Sequence, residues 1–446
     1  MRPSPKAALP MATKSDQGKA LMPALLVVAV ILIAAIAGLV LRNSSKQGVR
    51  DDGSTSSVTG ASSETRGSGR DLTRHKAVGD VTGQNWSAIL LDPSQPMKLR
   101  REAASELAKL GTDEAIRDLK VALKDGEPRL RAIIADALGI SPHPEAKLLL
   151  KELINDKDPL VAGAAINGWA RRGDAEAIEV LTGILQDEKR DADMRGNAAM
   201  ALGTINDPAA LKVLMTAAKG MQDSEVISQI MQGIGQRPFS ETQAFYQQYL
   251  AQTGIPQAAR VAAVESIGNA EGQTTTFLMQ YTRDADPEVR AGAAWAISNS
   301  GERGQSAPEI MALLQQESDN SVRMRLYQAL GNQEQVDVNS VMGMVQREVN
   351  NDTRLAGLEL LSERLNPQEQ PEVSQYFNQI AVPELKTSAL SGATDYERMV
   401  AALSLLKART PESMQALQDI ASQTKDQRVA RIAKGGVAQS RQKTAP

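Results

Sequence analysis

"DPEVRAGAAWAIS", residues 286–298, and "DPLVAGAAINGWA", residues 158–170, say nearly the same thing 128 positions apart, a gap that divides into four steps of 32. Counting from the residue four after the Asp of each pair, Ala162 and Arg290, counterparts stand at Arg100, Arg131, Arg195, Ile227, Arg260, Arg323 and Arg354. The steps run from 30 to 33, and seven of these nine positions are Arg. Small or apolar residues follow three, four and seven places on, as in Ala103, Ala104, Leu107 and Ala293, Ala294, Ile297. That is the spacing of one helical face.

Start and stop signals frame each copy. The Asp of Asp-Pro can accept from the free N–H groups of a first turn, and proline lacks the N–H that this turn leaves unpaired. Leu138-Gly139, Leu202-Gly203, Ile234-Gly235, Ile267-Gly268 and Leu330-Gly331 close the copies. Glycine there is expected to end the helix in the left-handed conformation. A second amphipathic run follows, such as "DEAIRDLKVALK" (113–124), "PEAKLLLKELIN" (144–155) or "DPAALKVLMTAAK" (207–219). Each copy therefore predicts two short helices that cannot bury their apolar stripes alone, so successive pairs stack into a solenoid.

"DPEVRAGAAWAIS", "GEPRLRAIIADALG" and "DADMRGNAAMALG" resemble the first helix of HEAT and HEAT-like, phycobilisome-lyase-type repeats, over roughly residues 95 to 440. The resemblance implies an all-α, right-handed superhelix. It leaves activity open, since such repeats serve in scaffolds, adaptors, a few chromophore lyases and some DNA-repair enzymes. The copies at 222–253 and 351–382 depart from the pattern, and a step of 44 from Arg354 to Arg398 implies an extra helix near 383–392. A kink or a changed surface is expected at those places.

Composition agrees. Aromatics make up 3% and apolar residues 42%, so burial rests on Ala, Leu, Val, Ile and Met, which suits close-packed helices. A formal charge of −3 gives no case for nucleic acid. The absence of cysteine excludes disulfides, thiol catalysis and thiolate metal sites.

Ahead of the repeats, Ala24 to Leu41 runs without a charge, and Leu21 and Met22 extend it. At 1.5 Å per residue this nearly crosses a hydrocarbon core of about 30 Å. Residues 21–41 are read as a transmembrane signal-anchor, 1–20 as a short cytoplasmic tail, 42–83 as a flexible Ser/Gly/Thr-rich linker, 84–440 as about ten helix pairs, and 441–446 as a disordered end. Basic residues number four before the span (Arg2, Lys6, Lys14, Lys19) and three after it (Arg42, Lys46, Arg50). That balance leans toward a cytoplasmic N-terminus and a periplasmic solenoid at the plasma membrane. Cleavage at Ala35-Ile36-Ala37 is the competing reading, and it also exports the repeats.

Catalytic patterns are missing. His75 and His143 fit no metal or nucleophile motif, and no P-loop or dinucleotide fingerprint occurs. His143 reads as an exposed turn residue, and no catalytic residue, cofactor or metal is expected. Arg131, Arg195, Arg260, Arg290 and Arg323 read as a structural ladder, each pairing with a carboxylate or carbonyl of a neighbouring unit.

Three irregularities are the candidates for binding a protein partner. Phe245, Tyr246 and Tyr249 form an aromatic cluster, either a bulkier core or an anchor on a concave wall of second helices. Trp295, five after Arg290, falls on an outer face, whereas Trp169 falls on the buried stripe. Arg428, Arg431 and Lys434 belong to a basic end that is either a polar cap or an anion-docking site. The expected function is a membrane-anchored scaffold without enzymatic activity. A chromophore lyase and a polyanion-binding solenoid are the alternatives.

Overall fold

The computed structural model describes residues 85–124, 127–301 and 304–443, with side chains as far as 438. The expected tail (1–20), span (21–41) and linker (42–83) lie outside the described residues. Among the described residues no helix is long and apolar enough to cross a membrane. No β-strand is present among them either.

A short α1 (Trp86–Leu91) precedes ten helix pairs. In chain order these are α2 (Met97–Leu110) with α3 (Asp113–Leu123), α4 (Pro128–Leu138) with α5 (Pro144–Leu153), and α6 (Pro159–Arg172) with α7 (Ala175–Gln186). Next come α8 (Ala192–Thr204) with α9 (Pro208–Gly220), α10 (Ser224–Gly235) with α11 (Phe239–Leu250), and α12 (Gln257–Ile267) with α13 (Thr275–Met279). The last four are α14 (Pro287–Asn299) with α15 (Ala307–Gln316), α16 (Asn320–Gly331) with α17 (Val338–Val345), α18 (Asn351–Arg364) with α19 (Pro371–Tyr376) and α20 (Val382–Ser391), and α21 (Asp395–Ala408) with α22 (Pro411–Gln423). A final helix, α23 (Gln427–Lys443), runs past the expected boundary at 440.

Local chemistry sets these limits. Asp158 accepts from the Leu160 N–H at 3.0 Å and Asp286 from the Glu288 N–H at 2.9 Å, so the Asp-Pro pairs cap helices as their sequence predicts. His143 does more than the exposed turn expected of it. Its Nδ1 accepts from the Glu145 N–H at 3.2 Å while its Nε2 lies 3.0 Å from Asp113, tying α5 to α3. The extra helix near 383–392 is α20, and a π-helical turn, Phe377–Ala381, joins it to α19 as one bent second helix.

Every first helix packs against the first helix before and after it, from α2 through α4, α6, α8, α10, α12, α14, α16, α18 and α21 to α23. Between the two rows lies a continuous core in which Leu107, Leu138, Trp169, Leu202, Ile234, Ile267, Ile297 and Leu330 are fully buried. Each such side chain contributes about 1.5–3 kcal/mol relative to exposure.

The glycine row has a different cause from the expected one. Gly139 and Gly268 keep right-handed helical backbone, Gly203, Gly235 and Gly331 lie inside their helices, and Gly111 and Gly173 are the left-handed caps. What the row provides, at every member but Gly331, is close approach. A Cβ on Gly139 would sit 2.5 Å from the Gly168 carbonyl oxygen, and one on Gly203 2.5 Å from that of Gly233. Backbone meets backbone between neighbouring first helices, which only the smallest residue permits.

The arginine column fastens the same row along one edge. Arg131 meets Asp156 at 3.0 Å, Arg195 meets Asp223 at 3.6 Å, and Arg260 meets Asp284 at 2.5 Å. Arg290 grips Glu317 with two bonds of 2.8 and 3.1 Å, and Arg323 pairs with Glu348. Beyond the expected five, Arg354 meets Glu384 at 2.6 Å and Arg398 meets Asp426 at 3.2 Å. Several also donate to carbonyls of the preceding second helix, as Arg195 does to Leu185 at 3.2 Å and Arg323 to Leu314 at 2.6 Å. Arg290 and Arg323 thus tie the end of the preceding second helix or its loop to an acid after the next second helix.

Candidate functional site

Register numbers identify the outward face of the first helices. The position five after each column residue points away from the core, and from α12 onward it reads Glu265, Trp295, Gln328 and Glu359. None of the four is buried, and none is fully exposed. They line one side of a trough.

Side chains two first helices apart meet across this face. The Tyr396 hydroxyl of α21 lies 3.7 Å from the Met324 sulfur of α16, although α18 stands between them. Leu355 and Ala356, one and two places after Arg354 on the intervening α18, are buried to 3% and 2% exposure and belong to the continuous core. Successive first helices pack on one another along the whole row, whereas most successive second helices barely touch, so the stack is tighter on the first-helix side. The first-helix face is therefore concave here. That corrects the expectation of a concave wall of second helices, and the close approach of the glycine row is its physical reason.

In the trough Glu265 and Arg325 are partly desolvated and offset each other only at a distance. The Glu265 carboxyl is pushed above the usual carboxylate range by burial, which Arg325 offsets in part and Glu288 reinforces. Gly292 makes room for it, since a Cβ there would come 3.3 Å from Glu265 Cγ. Burial also works against the charge of Arg325, whose Nη1 donates to the neutral Gln328 Oε1 at 2.9 Å. Among the described residues neither Glu265 nor Arg325 forms a direct ion pair. The Tyr396 phenol is pushed up to about 12, chiefly by burial and then by Glu359. On the far side Lys407 bridges Glu359 at 2.7 Å and Glu363 at 2.6 Å. Burial raises the Asp352 carboxyl, with Glu397 adding to the shift.

Of the expected partner-binding residues, Trp295 lies in this trough, half-buried against the core. The aromatic cluster does not. Phe245, Tyr246 and Tyr249 are 6%, 0% and 3% exposed, with ring centroids 5.5 Å apart from Phe245 to each tyrosine, and the Tyr246 hydroxyl lies 2.8 Å from Ser266 Oγ. The reason is local: the following second helix, α13, is cut to five residues, and Phe239 packs on Phe277 at 5.3 Å. Large rings fill the volume that a full helix occupies elsewhere.

Of the basic end, Arg428 is held by Asp395 at 2.6 Å and Asp426 at 3.7 Å, and Arg398 closes a ring of four charges on the same two carboxylates. This ring lines an open cleft of about 710 Å3 with Lys425, Thr424 and Gln427. Arg431 and Lys434 are exposed on α23. Lys434, four after Ala430, takes the register place that Ala135 and Ala199 hold against the next helix, so α23 carries a polar face there. No group of His, Asp and Glu among the described residues could hold a metal ion.

Glu265, Arg325 and Tyr396 escaped the reading of the sequence. Their signal was the outward register itself, five after, two after and two before the column arginines Arg260, Arg323 and Arg398.

The family profile of HEAT repeats matches residues 84–157, 146–235, 248–331 and 275–362. The chain is 30% identical over 144 residues to the uncharacterized phycocyanin operon protein Z of Pseudanabaena tenuis, which covers 30% of this chain and 71% of that protein. Human deoxyhypusine hydroxylase is 30% identical over 137 residues, 30% of this chain and 35% of the enzyme. The karyopherin Kap121p bound to the extreme C-terminus of the phosphatase Cdc14p aligns over 80% of this chain and 48% of that one, with 10% identity and a TM-score of 0.40. With a profile that spans more than half of its length and helix pairs stacked in register, this chain belongs to the HEAT-repeat family.

Proposed function

We propose that this protein is a scaffold that grips a protein partner in the first-helix trough, without catalytic activity of its own. Residues 21–41 would hold it in the plasma membrane, with the N-terminus cytoplasmic and the repeats on the periplasmic side. The observation that carries the binding role is the Glu265–Arg325 pair of desolvated, unbridged charges beside Trp295. Such groups, which compensate each other only in part, lower stability until a partner supplies closer counter-charges, and sites kept at that cost are characteristic of binding surfaces.

The paired substitution Glu265→Gln with Arg325→Met should raise the thermal midpoint by about 2–4 °C. It should also abolish photo-crosslinks formed by a reactive residue at position 295. Equal crosslinking from position 183 on α7, outside the trough, would remove the trough from the function. Because the sequence has no cysteine, Ser57→Cys and Ser4→Cys report topology directly. An impermeant thiol reagent should label position 57 and spare position 4 in cells with an intact inner membrane and an opened outer layer.

The likeness to phycocyanin operon protein Z favours a second reading, in which the repeats handle a chromophore-bearing protein. Visible absorbance acquired by the full-length chain on mixing with a bilin would favour it over the scaffold.

A further inference from the structure

We infer that copies of this chain join end to end, with α23 of one copy packing on α2 of the next as successive first helices pack within a chain. The contact requires neither the membrane anchor nor the trough.

Both ends of the described stack are half a repeat. The short α1 holds the place of a second helix: Arg100 of α2 donates to its Leu90 carbonyl at 2.9 Å, as Arg195 does to Leu185 and Arg323 to Leu314. No first helix accompanies α1 among the described residues. At the other end α23 is a first helix. A Cβ on Gly436, six past Ala430, would lie 2.7 Å from Leu406 Cδ1, eight past Arg398, the register contact that Gly168 makes with Gly139. Among the described residues no second helix follows it. Set behind α23, the α1 of another copy completes the pair.

The free face of α2 is partly apolar. One place before the column, Leu130, Val161, Val226, Val289 and Val322 are at most 1% exposed, whereas Leu99 is 37% exposed. Those five helices pack on a preceding first helix, and α2 has none among the described residues. Leu110, at the other end of α2, is also 37% exposed. A first helix laid there takes both leucines out of water.

Register decides which charges would meet. Within the chain, the residue one past the column faces the residue two past the next: a Cβ on Gly196 would lie 2.7 Å from Gln229 Cγ, and one on Gly292 3.5 Å from Val261 Cγ1. The residue four past the column faces the residue six past the next, since a Cβ on Gly168 or Gly233 would lie 2.7 Å from the carbonyl oxygen of Ala135 or Ala199. At the joint these contacts set Arg431 against Glu102 and Lys434 against Glu106. No other first helix has an acid two or six past its column residue, and only α23 has a base four past it. Arg431, Lys434 and Glu102 are exposed. Glu106 meets Lys109 of its own helix at 2.6 Å, a pair open enough to water to leave the carboxylate a second partner. Ala438, eight past Ala430, stands where the glycine row stands, so the neighbouring helix can come close.

A solubilising cap needs polar residues at each end, not exposed leucines at one and charges matched in register across both. The two faces differ, so the contact is head to tail and repeats into open chains or rings.

The chain has no cysteine, so single thiols test the joint. Thr353 Oγ1 donates to the Asn320 carbonyl at 3.2 Å, which puts the residue one before the column beside the residue three before the preceding column position. At the joint these are Leu99 and Gln427. Full-length Leu99→Cys and Gln427→Cys chains in detergent, mixed under mild oxidation, should give a disulfide-linked dimer that neither variant gives alone. Adding Arg431→Glu and Lys434→Glu to the Gln427→Cys chain sets like charges together and should lower the yield about tenfold. Adding Glu102→Lys and Glu106→Lys to the Leu99→Cys partner should then restore it, a recovery that misfolded chains would not show. No dimer in the mixture, dimers from one variant alone, or no recovery on the double reversal would each overturn the inference.

Discussion

Gly168 and Gly183 both lie inside helices, and replacing them by alanine should have opposite results. A Cβ on Gly168 would meet the Ala135 carbonyl oxygen and the Leu150 Cδ2 at 2.7 Å each, whereas one on Gly183 meets nothing within 4 Å. Gly168→Ala must push two first helices apart and is expected to cost about 1–3 kcal/mol. Gly183→Ala relieves only backbone entropy and should gain about 0.5–1 kcal/mol. Urea midpoints moving in opposite directions with unchanged m would establish the close-approach reading; equal shifts would refute it. Single residues also show where sequence reading stops. Trp169 was legible as core because it falls on the apolar stripe. Phe245 and Tyr249 were not, because four-residue spacing defines a face without saying whether it looks inward. The glycine row misled for a related reason: a glycine at a helix end and a glycine under a neighbouring backbone look alike in one dimension.

At the scale of the element, the arginine column was legible because Arg recurs at seven of nine positions in one register. Where Ile227 replaces Arg, the following loop, 251–256, reads "AQTGIP" and holds no acid. In α23, which no described helix follows, Ala430 takes the place. The carboxylates of the ladder and the trough also respond to pH in opposite senses. Asp156 is held below the ordinary range chiefly by its hydrogen bonds from Arg131. Glu317 is pushed upward by burial but held low overall by Arg290 and by the Ser318 and Asp319 N–H groups. A depressed folded pKa gives stability that is present above the unfolded value, about 4, and lost as pH falls below it. Glu265 and Asp352 are raised, so the folded chain takes up their protons first and gains stability as pH falls from neutrality toward that same value. The melting temperature should therefore climb slightly on mild acidification and drop steeply below about pH 4. In Glu265→Gln the climb should shrink while the drop stays; a climb of unchanged size would separate Glu265 from the effect. Arg290→Ala, which strands the carboxylate of Glu317, should cost about 3 kcal/mol at neutral pH and much less below pH 4.

In the molecule as a whole, a stack whose units touch only their neighbours unfolds by segments, its stability a sum of local terms. Repeats α16 to α21 break that rule, because Tyr396 reaches past α18 to Met324. This contact was illegible in the sequence: its partners are 72 residues apart, and what joins them is the accumulated turn of several helix pairs, to which no single residue commits. It should weld α16, α18 and α21 into one cooperative block. Hydrogen exchange on the native chain is then expected to show the amides of these three helices opening together, with one free energy, while α4, α6 and α8 open at graded values of their own. Tyr396→Ala removes a half-buried ring and its contact with Met324, so it should cost about 3 kcal/mol and split the block, letting α21 open ahead of α16. If α16 and α21 already exchange independently in the unaltered chain, the contact across α18 carries no coupling. The trough would then be shaped by neighbour contacts alone, and a partner laid across it would have to supply the rigidity that Tyr396 is expected to give.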